Sequence, residues 1–257
     1  FSNQTGQAIG PTTFDTETVS TEGATGFRPV TGQGFPIHVT RGGYSVQELR
    51  YSFEQDGVSP VELSLPAQHL GALGFAQVVW QSKPQKYAWF RMNDGTVVVM
   101  GYDPQQDVLG WARVPLAGGF CEDMDVTPGI DSGTDVVTLV VRREIDGETV
   151  RYVEEVAPIY GVLTGAEPIE NAVHVFASTV FALEVEQTEF AVPELVGQEV
   201  YAWTNRGQYG PFTVPEAGTI SLPVPVAHAV IGLFDATHYV ETLDLEALAR
   251  DGSSLGR

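Results

Sequence analysis

The densest run of side chains able to do chemistry is Cys121-Glu122-Asp123-Met124-Asp125, with Asp131 and Asp135 close behind. Carboxylates gathered at this density can ligate calcium, which binds through carboxylate and carbonyl oxygens. The run lacks the glycine and the closing glutamate of a calcium-binding loop. Two carboxylates could also serve a glycosidase, but that chemistry is set by their separation in space, which spacing along the chain does not give. The expectation is a solvated acidic loop over 122–135, with a calcium site and a carboxylate pair as its two alternatives.

Cys121 is the single cysteine. Acidic neighbours disfavour its thiolate, and with it a nucleophilic role. The five histidines, His38, His69, His174, His228 and His238, are scattered, and no pair has the H-E-x-x-H spacing that places two ligands on one helical face. His69 is expected as a packed helix residue whose imidazole is satisfied by a backbone carbonyl. No G-x-S-x-G elbow, P-loop or G-x-G-x-x-G fingerprint occurs, and a turn explains Gly207 to Gly210. Trp80, Trp89, Trp111 and Trp203 could line a sugar-binding face, since aromatic rings stack on apolar sugar faces. Their place inside strand-like runs favours packing in a core or between subunits. No residue is assigned a catalytic, cofactor-binding or metal-binding role, no cofactor is expected, and the expectation is a protein that is not an enzyme.

A chain of 257 residues with 43% hydrophobic and 18% charged residues is long enough to bury a sizeable core, as one large all-β domain or two smaller ones. A lone cysteine allows no disulfide framework within the chain, leaving a cytosolic folding compartment and secretion both open. No run approaches the roughly 18 apolar residues of a membrane span. The chain opens at Phe1 with neither a basic nor an apolar leader, so no signal peptide is expected and the true N-terminus is expected upstream. A formal net charge of -20 argues against a surface that grips nucleic acid, because phosphate binding needs clustered Lys and Arg. An acidic wall past which duplex DNA slides remains compatible with that charge, as does an ordinary acidic surface.

The elements that would position these side chains read as strands. Tyr87 to Val114 contains three β-branched and aromatic runs separated by Asn93-Asp94-Gly95 and by Asp103-Pro104-Gln105-Gln106, both turn signals. This predicts an antiparallel meander, with Trp89, Tyr102 and Trp111 on successive strands and packed across them. A hairpin is expected at Gly42-Gly43, a short helix near 65–74 ending at Gly71 or Gly74, and a strand from Phe75 to Trp80. Asp146-Gly147 marks another hairpin within 135–156. Further on, 172–185, 199–204, 218–223 and 227–234 read as strands, 205–210 as a turn, and 243–250 as a helix.

The fold class is therefore all-β: an antiparallel, propeller-blade-like meander region plus a small β-barrel or sandwich module, with one or two short helices. Residues 1–34 read as an extended arm tethered by Phe27, Val30 and Phe35. Residues 35–158 form the meander region, with linker composition from Pro158 to Pro168. Residues 159–250 form a second β region with a small module at about 186–226, and 251–257 form a tail.

The order of motifs resembles the distal tail-tube or nozzle proteins of short-tailed bacteriophages, also called tail tubular or stabilisation proteins. The resemblance rests on GGYSVQELRYSFEQDGVSPVELSLPAQHL at 42–70, then Lys83-Pro84, Trp89, Asp94-Gly95, Tyr102 and Trp111, then VVRREIDGETVRYVEEV at 140–156. Downstream, LVGQEVYAWTNRGQYGPFTVPEAGTISLP at 195–223 is similar to the family's inserted β module, and AVIGLFDATHYVETLDLE at 229–246 to the strand and linker that follow. The resemblance implies a structural virion protein located in the tail and made in the host cytoplasm. Copies would form a ring, usually a homohexamer, that continues the DNA channel and anchors appendages. The partners it implies are further copies of the chain, a tail adaptor or upper tube protein, fibres or spikes, and duplex DNA as passing cargo. It also implies a longer chain than this segment. The alternative is a carbohydrate-binding or carbohydrate-degrading β-domain for host recognition.

Overall fold

The computed structural model describes residues 18–54, 56–130, 133–158 and 172–235. The fold is all-β, and its fifteen strands form four antiparallel sheets, none closed into a barrel.

The first sheet is a meander of β1 (Val30–Gly32), β2 (Phe35–Val39), β3 (Val46–Ser52) and β4 (Gly57–Glu62). The turn between β2 and β3 falls at Gly42-Gly43 as the sequence predicts. Both glycines have positive φ, 107° and 82°, and Gly43 N–H donates to Thr40 O. Strand β1 lies inside the stretch read as an arm, and Phe27 and Val30 pack on the first core. A 3-10 turn at Leu65–Ala67 runs into α1 (Gln68–Gly71), the expected short helix. It ends at Gly71, where only glycine fits because Tyr44 O lies 2.2 Å from where a Cβ would sit.

The second sheet, β5 (Phe75–Gln81), β6 (Tyr87–Met92), β7 (Val97–Asp103) and β8 (Val108–Val114), is the predicted meander. Its strands β6 and β7 are buried on both faces. Ala88, Phe90 and Met92 on β6 and Val98, Met100 and Tyr102 on β7 face the first sheet. Trp89 and Val97 face the other way, onto the third sheet. Fully burying a side chain such as Phe90 or Met100 contributes about 1.5–3 kcal/mol, so this two-faced burial makes the second sheet the centre of the stack. One expectation is corrected. Trp89, Tyr102 and Trp111 do lie on successive strands, but Trp89 points to the opposite face from the other two. The ring cluster that does form is Phe75, Phe90 and Trp111, with centroids 5.1 to 6.1 Å apart.

The third sheet has β10 (Asp135–Ile145) between β9 (Phe120–Pro128) and β11 (Glu148–Glu155). Asp146-Gly147 closes a two-residue hairpin in which both residues have positive φ, 51° and 77°, the geometry that matches strand twist. The stretch expected as an acidic loop or irregular strand is a nine-residue strand, β9, bulged at Glu122 where the register against β10 shifts. The bulge reverses the alternation, so Cys121 and Met124 both reach the core. The first strands of the three sheets lie together, β1 against β5 and β5 against β9, so the sheets fan out from one side.

The fourth sheet, in the order β12-β15-β13-β14, is built from β12 (Phe176–Ala191), β13 (Glu199–Thr204), β14 (Gly207–Thr213) and β15 (Thr219–Leu233). The two segments expected at 218–223 and 227–234 are one strand, β15. Pro223 and Pro225 are tolerated within it because the register with β12 jumps from Gln187↔Val226 to Glu189↔Ser221, so neither is needed as a donor. The turn expected over 205–210 is confined to Asn205-Arg206, and β12 starts and ends later than the sequence suggests. The sheet docks on the third through Ile145, Val150 and Tyr152, whose hydroxyl donates to Glu194 O at 2.5 Å. The linker expected over 158–168 lies, from residue 159 on, outside the described residues, and so does the helix over 243–250.

Candidate functional site

Ionisable groups in the interior are paired within the sheets and at their junctions rather than gathered in a cleft. Glu48 on β3 is fully buried. It accepts the Tyr102 hydroxyl from β7, and its other oxygen lies 2.5 Å from the Arg50 guanidinium. Arg50 also donates to the Tyr102 hydroxyl at 2.9 Å and lies over the Phe35 ring. Burial, followed by the Glu48 carboxylate, pushes the Tyr102 phenol up to about 12. A carboxylate, a phenol and a guanidinium in contact could move a proton, but Glu48 and Tyr102 are both closed to solvent. The cluster fastens the first sheet to the second.

Arg143 ties β10 to β11 and to the connection that precedes β9. Its side chain is almost fully buried, its Nε and Nη2 donate to the two Glu154 oxygens at 3.0 Å each, and its Nη1 reaches Leu116 O and Ala117 O. Burial raises the Glu154 pKa more than the guanidinium lowers it.

The acidic run is dispersed by the pleat of β9. Glu122, on the bulge, accepts Arg151 at 2.6 Å with Arg142 nearby, and the Arg151 hydrogen bond holds its carboxyl below the usual range. Asp123 accepts Gln77 Nε2 at 2.7 Å, and Asp135 caps Ser82 N–H and Lys83 N–H at 2.6 and 2.9 Å. These three carboxylates serve three different partners, and Asp131 lies outside the described residues. Among the described residues, no group of three His, Cys, Asp or Glu is placed to hold a metal ion. Cys121 is buried, and that burial, more than its acidic neighbours, pushes its thiol up to about 11.

The histidines remain apart. His69 is exposed on α1, against the expectation of a packed imidazole, because the one-turn helix gives its inner side to Leu70 and Gly71. Burial lowers the His38 pKa. His174 packs against Trp203, and His238 lies outside the described residues. The indole N–H groups of Trp80, Trp89 and Trp111 donate to Ser82 Oγ, Gln81 Oε1 and Leu63 O.

Two recesses escaped sequence reasoning. A groove of about 680 Å³ runs where the first strands converge, lined by Phe27, Arg28, Gln77, Trp80, Asp123 and Asp125 among others. A smaller cleft of about 190 Å³ is bounded by His174, Tyr201, Trp203 and Phe234 on the fourth sheet. The alternation Tyr201-x-Trp203 within one strand was its legible signal, since strand residues two apart share a face. Among the described residues, no helix is long and apolar enough to cross a membrane. Compared with known proteins, the chain matches no protein-family model and no curated protein.

Proposed function

We propose that this chain is a structural, non-enzymatic element of a phage tail nozzle, working as a wall segment in a ring of identical copies around the DNA channel. The observation that carries the reading is the fan of three meander sheets, stacked in chain order with β1, β5 and β9 together on one side. Such sheets are blade-like, and a fan of blades is the unit from which a rigid, propeller-like wall is built. The ordered motifs of 42–70, 83–111 and 140–156 fall within these sheets and their connections.

Two further features support the reading. Buried charges are used as fasteners, Glu48 holding Tyr102 of the second sheet and Arg143 holding the carbonyls of Leu116 and Ala117 ahead of β9, a use suited to rigidity and not to turnover. A net charge of -20 suits a surface past which duplex DNA moves without being held. Edge strands such as β4 and β8 expose Val58, Val108 and Leu109, and assembly into a closed ring would cover edges of this kind.

Sedimentation velocity and electron microscopy of the purified protein test the proposal. Rings of one defined copy number, six being expected, support it. A protein that stays monomeric at every concentration overturns it.

A further inference from the structure

Asp-Gly pairs occur at 56–57, 94–95 and 146–147 among the described residues, and another at 251–252 lies outside them. Such a pair is open to attack by the glycine nitrogen on the aspartate side chain, because glycine carries no Cβ to shield that nitrogen. The fold holds the three described pairs differently. Asp94 accepts Thr96 N–H at 3.1 Å and the Thr96 hydroxyl at 2.7 Å, while Gly95 is buried and its N–H donates to Met92 O at 3.1 Å. Asp56 accepts the Tyr51 hydroxyl at 2.6 Å, and Gly57 is already part of β4, paired with Ser52. Asp146 and Gly147 are both exposed and form the two-residue tip between β10 and β11. The Asp146 carboxyl stands beside Gly197, where a Cβ would lie 3.7 Å from Oδ1, so the neighbour it faces has no side chain to hinder its rotation. Exposed tips are also where a chain most readily takes up the altered backbone that attack requires.

We propose that Asp146-Gly147 is a modification site, where the aspartate converts spontaneously to isoaspartate and the conversion loosens the fourth sheet from the third. Gly147 N bonds to Asp146 Cγ, and the protonated carboxyl loses its hydroxyl, which leaves as water with the Gly147 amide hydrogen. The product is a five-membered succinimide. A water molecule then adds to the former main-chain carbonyl carbon of Asp146 and breaks its bond to nitrogen, so the chain continues through Cβ and the mass is unchanged. The backbone of the tip gains one atom, in a turn whose fit to the strands depends on φ of 51° and 77° at its two residues. The pairing of Ile145 with Glu148 cannot then keep its register. Ile145 is buried in the core that joins the two sheets, and Val150 packs against the same core, so the change at the tip reaches the docking surface directly.

The inference is independent of the ring-forming role. It is tested by ageing the full chain at neutral pH and body temperature, then locating isoaspartate by peptide mapping and by methyl transfer from S-adenosylmethionine with an isoaspartyl methyltransferase. Isoaspartate should build up at position 146 at least fivefold faster than at 56 or 94. In the same chain held unfolded in urea the three rates should draw together, which shows that the fold makes the choice. Asp146→Asn should speed the conversion, ammonia leaving in place of water, and it keeps the turn because Asn-Gly suits the same geometry. Amide hydrogen exchange over residues 145–153 should be faster in the aged protein than in the fresh one. The proposal is overturned by the absence of isoaspartate at 146 in the folded protein, by equal or faster conversion at 56 or 94, by a preference for 146 that persists in urea, or by exchange over 145–153 that does not change on ageing.

Discussion

The side-chain amide of Gln77 pairs with the main chain of Met124 as a neighbouring strand would. Its Nε2 donates to Met124 O at 2.8 Å and its Oε1 accepts Met124 N–H at 3.2 Å. Edge strands β5 and β9 belong to different sheets, and this one amide continues the ladder between them. Gln77→Ala takes the side-chain donor from Met124 O at a partly buried position, while Met124 N–H keeps the Asp123 carboxylate at 2.9 Å, and it should lower stability by about 1–3 kcal/mol. Gln77→Glu should be worse, because a carboxylate cannot donate to Met124 O and faces Asp123. Urea unfolding of the three proteins checks the order.

Burial of the Tyr102 phenol, and after it the contact with Glu48, makes stability depend on alkaline pH. The phenol's pKa is raised on folding from the ordinary value near 10 to about 12. The folded state therefore holds its proton longer than the unfolded state does. The resulting stabilisation is complete below pH 10 and is lost as pH rises through 12. Tyr51, Tyr152 and Tyr201 are shifted in the same direction, so the difference between the parent protein and Tyr102→Phe isolates this phenol. Denaturation midpoints measured from pH 8 to 12 should converge for the two proteins at the upper end.

Arg143→Met should cost about 3–5 kcal/mol, since removing one partner of a buried pair strands the other. Glu154 would lose both guanidinium bonds, and the carbonyls of Leu116 and Ala117 would lose a donor. Arg143→Lys should recover only part of this, because a point charge cannot serve the carboxylate fork and the two carbonyls together. Thermal unfolding of both variants reads the difference.

Cys121 should resist thiol reagents in the folded protein. Its thiol is buried and its pKa is pushed up to about 11, so the reactive thiolate is scarce at neutral pH. Labelling with a disulfide reagent should proceed only as the protein opens, at a rate that rises with denaturant. Rapid labelling without denaturant would refute the buried placement.

Gly95→Ala should destabilise the second sheet by more than about 1 kcal/mol. Gly95 has φ 78°, and a Cβ there would lie 2.4 Å from the Phe120 ring. Unfolding by guanidinium measures the loss.

Strands bracketed by Asp-Gly turns were legible in the sequence because the turn residues and the β-branched runs agree, as at 87–103 and 135–155. The face of Trp89 was not. YAWFRM and VVVM carry large apolar residues on both sides of the pleat, and the one charge, Arg91 on the same side as Trp89, does not keep that side from being buried. The alternation of β9 was hidden by its bulge, and β15 by two prolines that read as breakers. In the fourth sheet Gly207, Gly210 and Pro211 disguised β14 as a turn, a composition that an edge strand tolerates. The Glu48–Tyr102 pair joins positions 54 apart, and no local pattern announces such a contact.

The place of β15 between β12 and β13 sets a timetable for synthesis. Each of the first three sheets needs only strands adjacent in sequence, so each can close soon after leaving the ribosome. The fourth waits for residues 219–233, and until they emerge β12 and β13 lack the neighbour they share. During that interval a finished stack trails an unfinished sheet, and the nascent chain is most exposed to chaperones and proteases there.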